Sequence, residues 1–311
     1  MKFASPHDIN RPGHLLHKAW QARPYFSKPV GRAFPRGICG SACLLAAVGL
    51  CLAASLTLLH ADWRDSLTRD EPGKFPMLRP FEAEFRLGWT DIDAGRARVK
   101  VTGNDGGVIR LDATGATTGL ARVLWQLDAS LESTTARNGL RTIYTVEKEN
   151  YADRSITTQI VARPDGIWRL RENFPEGENP ARWKRIKISP LRDIFSGVLF
   201  LRSQPLVPGE SVSAVIFPGD CPFFVEIKVA GTGPLTVAGT TRDTIRLELK
   251  IQKINLKKDF RLEPHGKFHS GTVWLSNDDD RIPLRVELDI FIGYVFAELD
   301  SITFHAAAHG G

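Results

Sequence analysis

Cysteine is scarce in this chain of 311 residues, and three of the four cysteines (Cys39, Cys43, Cys51) fall inside one apolar run. Cys221 is the only one beyond it, so no internal disulfide is possible in the rest of the chain. That part must be held by its core alone, and the neighbours Pro222, Phe223 and Phe224 place the thiol among apolar side chains. Signature motifs of common chemistries are missing too. There is no Gly-x-Ser-x-Gly elbow, no phosphate-binding glycine loop and no His-Glu-x-x-His. No solenoid repeat and no low-complexity tract interrupts the bulk of the chain. Twin arginines are absent, and no cysteine stands where a lipoprotein signal needs one.

An excess of positive charge is present but local. The formal charge is +6, and residues 1–37 carry Lys2, Arg11, Lys18, Arg23, Lys28, Arg32 and Arg36 against one acid, Asp8. The remainder holds 34 cations and 34 acids. Its electroneutrality removes the main electrostatic support for nucleic-acid binding.

Residues 38–59, ICGSACLLAAVGLCLAASLTLL, form 22 uncharged positions. That is long enough to span a bilayer, and a basic leader before an apolar run is also the plan of an export signal. Ala53-Ala54-Ser55 and Leu59-His60-Ala61 are the two cleavage candidates. The leader is long for a signal, which leaves a downstream start or a retained anchor as alternatives. In either case the charge asymmetry keeps the leader cytoplasmic and sends the bulk outward to the periplasm or cell envelope. Residues 60–80, polar with several prolines, read as a tether.

After Phe81 the chain alternates in period two between turn residues. Strands are expected at 81–90, 94–103, 107–117, 122–135, 139–150, 154–162, 166–173, 211–218, 222–231, 241–255, 270–277, 282–291 and 293–304. One segment departs from this pattern. Ser189 is suited to cap a helix and Pro190 to open it, and Leu191, Ile194, Phe195, Val198 and Leu199 then follow at helical spacing up to Pro205. A helix over 190–203 with so apolar a face must lie against a sheet. The expected fold is mainly β: a large curved antiparallel sheet or open barrel over 81–304, one helix on its concave side, and a flexible tail at 305–311.

The run Asp278-Asp279-Asp280 invites a metal or acid/base reading. It lies between a β-prone segment ending in Trp274-Leu275 and the alternating strand Ile282 to Ile292. Asn and Asp suit a tight turn there, and the spacing of a calcium loop is wrong. A hairpin corner is expected.

The same stretch carries a family resemblance. Trp274 to Asp279 followed by Arg281-Ile282-Pro283 resembles the closing signature of a bacterial exported family known as domain of unknown function 3108. Phe85 to Gly95 resembles its opening strand pair. Asp193 through Arg202, then Pro205 to Gly209, resembles its helix and following turn, and Gly293 to Leu299 its last strand. The resemblance covers roughly residues 81–304. It implies a cell-envelope protein with a large β fold and no assigned catalytic residue.

Other constellations point to bland roles. His265 and His269 are four apart, but Gly266 makes a loop of them rather than a zinc-binding helix face. The sequence GTGPLTVAG (231–239) reads as a turn between strands. Glu82 with Glu84, and Asp91 with Asp93, are expected to face solvent. Trp125, Trp168 and Trp274 are expected within strands. Two basic clusters, RWKRIKI (182–188) and KINLKKDFR (253–261), suit solvated faces or contact with anionic headgroups.

No cofactor or metal ligand set is identified, and the favoured class is non-enzymatic. A lipid or other hydrophobic ligand held beneath the helix, against Leu191, Phe195 and Leu199, is the first expectation. An envelope scaffold or interaction module with a filled interior is the alternative, and a hydrolase ranks last because no nucleophile–base pair is visible. The membrane is a further expected partner, through 38–59 if that segment is uncleaved.

Overall fold

Alternation is the local rule that builds this molecule. In Pro283–Asp289 the side chains of Leu284, Val286 and Leu288 point to one face, and Leu284 is fully buried. A strand with one apolar face must pair and curve around a core to hide that face. The computed structural model describes residues 62–76, 78–103, 107–175 and 180–305. The chain divides into two units, Met1–Asp65 and Ser66–Gly311. The apolar run at 38–59 lies outside the described residues, among which no helix is long and apolar enough to cross a membrane. Of the first unit only 62–65 is described, with an Arg64–Asp62 ion pair of 2.8 Å.

Among the described residues of the second unit, fifteen strands make one antiparallel sheet. They are β1 (Phe81–Trp89), β2 (Ile92–Gly103), β3 (Val108–Thr117), β4 (Leu127–Ala136), β5 (Arg141–Tyr151), β6 (Ser155–Arg163), β7 (Gly166–Phe174) and β8 (Lys184–Ile186). After a helix follow β9 (Ser211–Ile216), β10 (Phe223–Val237), β11 (Thr240–Asn255), β12 (Arg261–Pro264), β13 (Ser270–Ser276), β14 (Pro283–Asp289) and β15 (Tyr294–Phe304). The spatial order is 8-7-6-5-4-3-2-1-15-14-13-11-10-9, with β12 added on β11. The first and last strands therefore pair in the middle, Phe81 opposite Phe304. The sheet is open: β8 and β9 are not hydrogen-bonded to each other.

There are two helices among the described residues, where one was expected: α1 (Gly119–Leu124) and α2 (Ile194–Ser203). α1 occupies the start of the predicted 122–135 strand, and β4 begins only at Leu127. Gly119 adopts φ +56°, which reverses the chain after β3 and lets a helical turn form before it descends again. α2 begins later than the sequence suggests. Asp193, not Ser189, is its cap, and its carboxylate accepts from the Ser196 backbone N–H at 2.7 Å. Arg192 is the reason: its backbone pairs with β9, giving to Val215 O at 3.2 Å and accepting from Phe217 N at 2.7 Å. Residues committed to that bridge cannot be helical.

Smaller differences have similar causes. Residues 231–237, expected as a turn, continue β10 past a bulge, and Ala238-Gly239 makes the hairpin turn. The short strands β8 and β12 fall in segments too short to show alternation. Trp125 is not in a strand but ends α1, half exposed at 50 %.

The stretch read as a tether is, from Ser66 onward, a strap laid along the sheet's lower end, the end where β1 begins. Thr68 exchanges hydrogen bonds with Ser213, its N–H giving to Ser213 O at 3.1 Å and its hydroxyl accepting from Ser213 N at 2.8 Å. Gly73 N gives to Ser203 Oγ at 3.0 Å, and Asp70 pairs with both Arg192 and Arg141.

Candidate functional site

The concave face divides into a lower, filled half and an upper, open half. α2 fills the lower half. Its N-terminal end is tied down through Asp193, whose carboxylate also accepts from the hydroxyls of Ser133 and of Thr145 (2.6 Å) on β4 and β5. Thr142 Oγ1 accepts from Asp193 N at 2.8 Å. All of these groups are buried, so each satisfied bond avoids a desolvation penalty.

Three buried arginines brace α2, Arg192 just before its cap and Arg202 and Arg281 at its C-terminal end. Arg192 gives to Leu140 O at 3.1 Å and lies 3.9 Å above the ring of Phe200. Arg202 gives to Asp280 O at 2.9 Å, Asp279 O at 3.2 Å and Pro76 O at 2.7 Å. Arg281 gives to Gln204 O at 2.6 Å and Arg202 O at 2.8 Å. Burial holds all three guanidinium groups below their usual pKa, Arg202 down to about 10.

The aspartate run is thus a corner, as its turn chemistry requires, and it is also a socket. Asp278 Oδ1 accepts from Ser276 Oγ and from the backbone N–H groups of Asp280 and Arg281. Asp280 pairs with Arg79, and the carbonyls of Asp279 and Asp280 receive Arg202. No cluster of three or more His, Cys, Asp or Glu side chains among the described residues is arranged to hold a metal ion.

The three residues expected to line a ligand cavity are core residues instead. Phe195 and Leu199 belong to the main apolar cluster, and Leu191 to a second, small one with Ile160, Ile186 and Phe217. The hollow beside Leu199 measures about 30 Å³, bounded also by Phe75, Leu140 and Arg202. That is room for a water, not a lipid. The reason is packing: the strap and the arginine network draw α2 against β4, β5 and β9. A larger hollow of about 600 Å³ is an open trough on the face away from the core, between Arg96, Arg98, Thr114 and Asp128.

Above α2 the concave face is less deeply buried. The cross-strand row Val99, Ala113, Leu131 is only partly buried and ends at Glu147 on β5. Leu249, Ile251 and Val286 on the other wing are partly buried as well. Burial pushes the Glu147 carboxyl up to about 7, Glu149 adds to the shift, and Arg171 opposes it. Tyr151, which donates to Glu149 at 2.9 Å, is pushed up to about 12 by the same burial. Arg169 closes this side by giving to the carbonyls of Gly219 and Asp220, both at 2.9 Å.

Part of the rim of the open end is apolar. Register places the tips at 90–91, 118–126, 256–260, 265–269 and 290–293 together at this end. Three adjacent tips are joined by contacts. Trp89 Nε1 gives to Ile292 O at 2.8 Å, Thr90 N gives to Tyr294 O at 2.8 Å, and Thr118 N gives to Ala94 O at 2.9 Å. Sequence reasoning missed this rim, because Val123 and Leu124 fall in the expected 122–135 strand and Leu120 in the link before it.

The remaining candidates fall where solvent or packing explains them. Glu82 pairs with Lys100 at 2.7 Å, and Glu84 with Arg98 at 2.8 Å. Asp93 pairs with Arg86 at 2.8 Å. His265 stacks on Phe268 (5.7 Å) in the loop before β13, and burial holds its imidazole below the usual value. Cys221 is partly buried and its thiol pushed up by desolvation. Trp168 and Trp274 lie in β7 and β13. RWKRIKI supplies the edge strand β8, whose three residues and flanking cations discourage pairing with another chain.

No curated protein matches the chain. The crystal structure of a β-barrel-like protein of the domain of unknown function DUF1849 from Brucella abortus is similar at a TM-score of 0.48 and 9 % identity, covering 74 % of this chain and 99 % of that one. A candidate lipoprotein from Parabacteroides distasonis is similar at a TM-score of 0.32 and 9 % identity, covering 76 % and 100 %. A candidate exported protein with a YmcC-like fold from Bacteroides fragilis is similar at 0.32 and 10 %, covering 75 % and 99 %. Residues 84–300, from within β1 to within β15, match the model of a family described as a protein of unknown function, and the chain belongs to that family, DUF3108.

Proposed function

We propose that this is an exported cell-envelope protein that acts as an interaction module through the open upper end of its sheet. The carrying observation is the division of the concavity. Its lower half is filled by α2, where the hollow beside Leu199 is about 30 Å³, while Leu120, Val123, Phe291 and Ile292 stand exposed on the rim of the upper half. A molecule that turned over a substrate would concentrate polar groups at the open end, and one that enclosed a lipid would keep room beneath the helix. Export is supported by the basic leader and the apolar run of 38–59.

A second reading is favoured by the partly buried row of Val99, Ala113 and Leu131: a hydrophobic ligand lying on the upper concave face rather than in a chamber. Native mass spectrometry of the mature protein, taken from its own cells without detergent, separates the two. The bare-chain mass is expected. A stoichiometric excess that solvent extraction removes as lipid would replace the module with the carrier.

A further inference from the structure

We infer that the apolar rim docks onto the surface of an anionic lipid bilayer, which names the partner of the interaction module proposed above and rests on that reading. Three hairpin tips carry the contact. On α1, Leu120, Val123 and Leu124 stand at i, i+3 and i+4, so they share one helical face. That face is turned outward: the three side chains are 80 %, 82 % and 61 % exposed, and no residue of the helix is buried. A globular protein orients such a face inward unless something else covers it. Between β14 and β15, Phe291 is 95 % and Ile292 64 % exposed, and Trp89 and Ile92 stand at the tip between them and α1.

The shape of the patch selects the partner. These residues sit on the tips of strands β14, β15, β1, β2, β3 and β4, a line of about 24 Å at about 4.8 Å per strand. They form a crest one or two residues deep, not a groove that a peptide would fill. Crests of Leu, Ile, Phe and Trp settle about 5–10 Å into the boundary between headgroups and acyl chains. Trp in particular suits that depth.

Charge supplies an independent observation. The register brings the β11–β12 turn to the same end, about 10 Å along the rim from β14. Residues 250–267 contain six cations, Lys250, Lys253, Lys257, Lys258, Arg261 and Lys267, against Asp259 and Glu263. Glu263 pairs with Lys258 at 3.0 Å and accepts from the Asn255 amide at 3.0 Å, and six cations against two acids leave the segment a net charge of +4. A cationic loop beside an apolar crest is the pairing that anionic headgroups recognise. Among the described residues the opposite end, closed by the strap and the aspartate corner, has no such crest.

The test uses the full chain in its own cells, with a photo-crosslinking residue at position 291 or 124, and at Val207 as a control that is 46 % exposed at the lower end. Phospholipid adducts are expected from 291 and 124, at least fivefold above those from 207. Replacing Lys257, Lys258 and Arg261 by Gln is expected to lower them severalfold, since each cation near an anionic surface contributes a few-fold in affinity. Site-specific adducts are needed because residues 38–59 would bind membranes on their own. Protein adducts in place of lipid, no adducts, or equal yields from all three positions would overturn the inference. A C-terminal alkaline phosphatase fusion scores export separately. An exported chain without lipid adducts sinks the docking rim alone, and a chain that is not exported yet crosslinks lipid sinks the cell-envelope reading alone.

Discussion

Arg281 holds its guanidinium 3.4 Å above the ring of Phe75, a residue of the strap, while donating to the carbonyl oxygens that end α2. One side chain thus clamps three segments: the strap, the helix terminus and the aspartate corner. Its charge is desolvated, which strengthens its attraction to the ring face. Phe75→Ala is expected to destabilise the domain by about 1–3 kcal/mol, read as a lower urea midpoint at unchanged slope. An unchanged midpoint would mean that the strap carries no stability.

Gly73 tests the strap from its backbone. A Cβ at this position would fall inside the van der Waals radius of the Ser203 carbonyl oxygen. Backbone cannot yield as a side-chain tip does, so Gly73→Ala is expected to lift the strap at a cost of about 2 kcal/mol or more. Limited proteolysis should then cut within 66–80, where the unmodified chain resists.

The helix start gives a paired comparison. Asp193→Ala removes the cap and leaves the buried hydroxyls of Ser133 and Thr145 without their acceptor, for an expected loss of about 3 kcal/mol. Ser189→Ala, at the position the sequence suggested, is expected to change stability by less than about 0.5 kcal/mol. Equal effects would refute the assignment of the cap.

Glu147 sets a pH dependence. The unfolded carboxyl titrates near 4.5 and the folded one near 7. Between these values the folded state keeps a proton that the unfolded state has lost, so stability falls as pH rises through the window and levels off above about 7. Glu147→Gln is expected to match the unmodified chain at pH 4 and to exceed it by about 1–2 kcal/mol at pH 8, allowing for partial solvent screening. Thermal melts across pH 4–8 measure this directly.

Much of the sheet was legible because alternation is a local signal: Leu284, Val286 and Leu288 announce their strand without reference to any partner. The strap was not, because Asp70, Gly73 and Phe75 find Arg192, Ser203 and Arg281 far along the chain. Polar, proline-rich sequence looks the same whether it is free or fastened. α1 was hidden for another reason. Val123 and Leu124 are apolar and exposed, so a reading that sends apolar residues inward assigns them to a strand. The packing of Phe195 and Leu199 was not legible, because an apolar helix face indicates burial, not whether the space beyond it is empty or filled.

The pairing of β1 with β15 fixes when this protein can be finished. Every other ladder of the sheet except the β11–β13 pairing, which skips the small strand β12, joins strands consecutive in the chain, so both wings can assemble from local hairpins as residues emerge. The seam cannot. Phe81 meets Phe304 edge-on at 6.2 Å, and the His305 N–H closes onto Pro80 O at 2.9 Å, only when the last strand has arrived. Until then β1 offers a row of unsatisfied amide and carbonyl groups along an open edge, the template on which other chains stack. A chain stalled or truncated before Tyr294 would therefore be worse than incomplete. It would be adhesive, and its safe passage would depend on a holding chaperone until the final eleven-residue strand closes the seam.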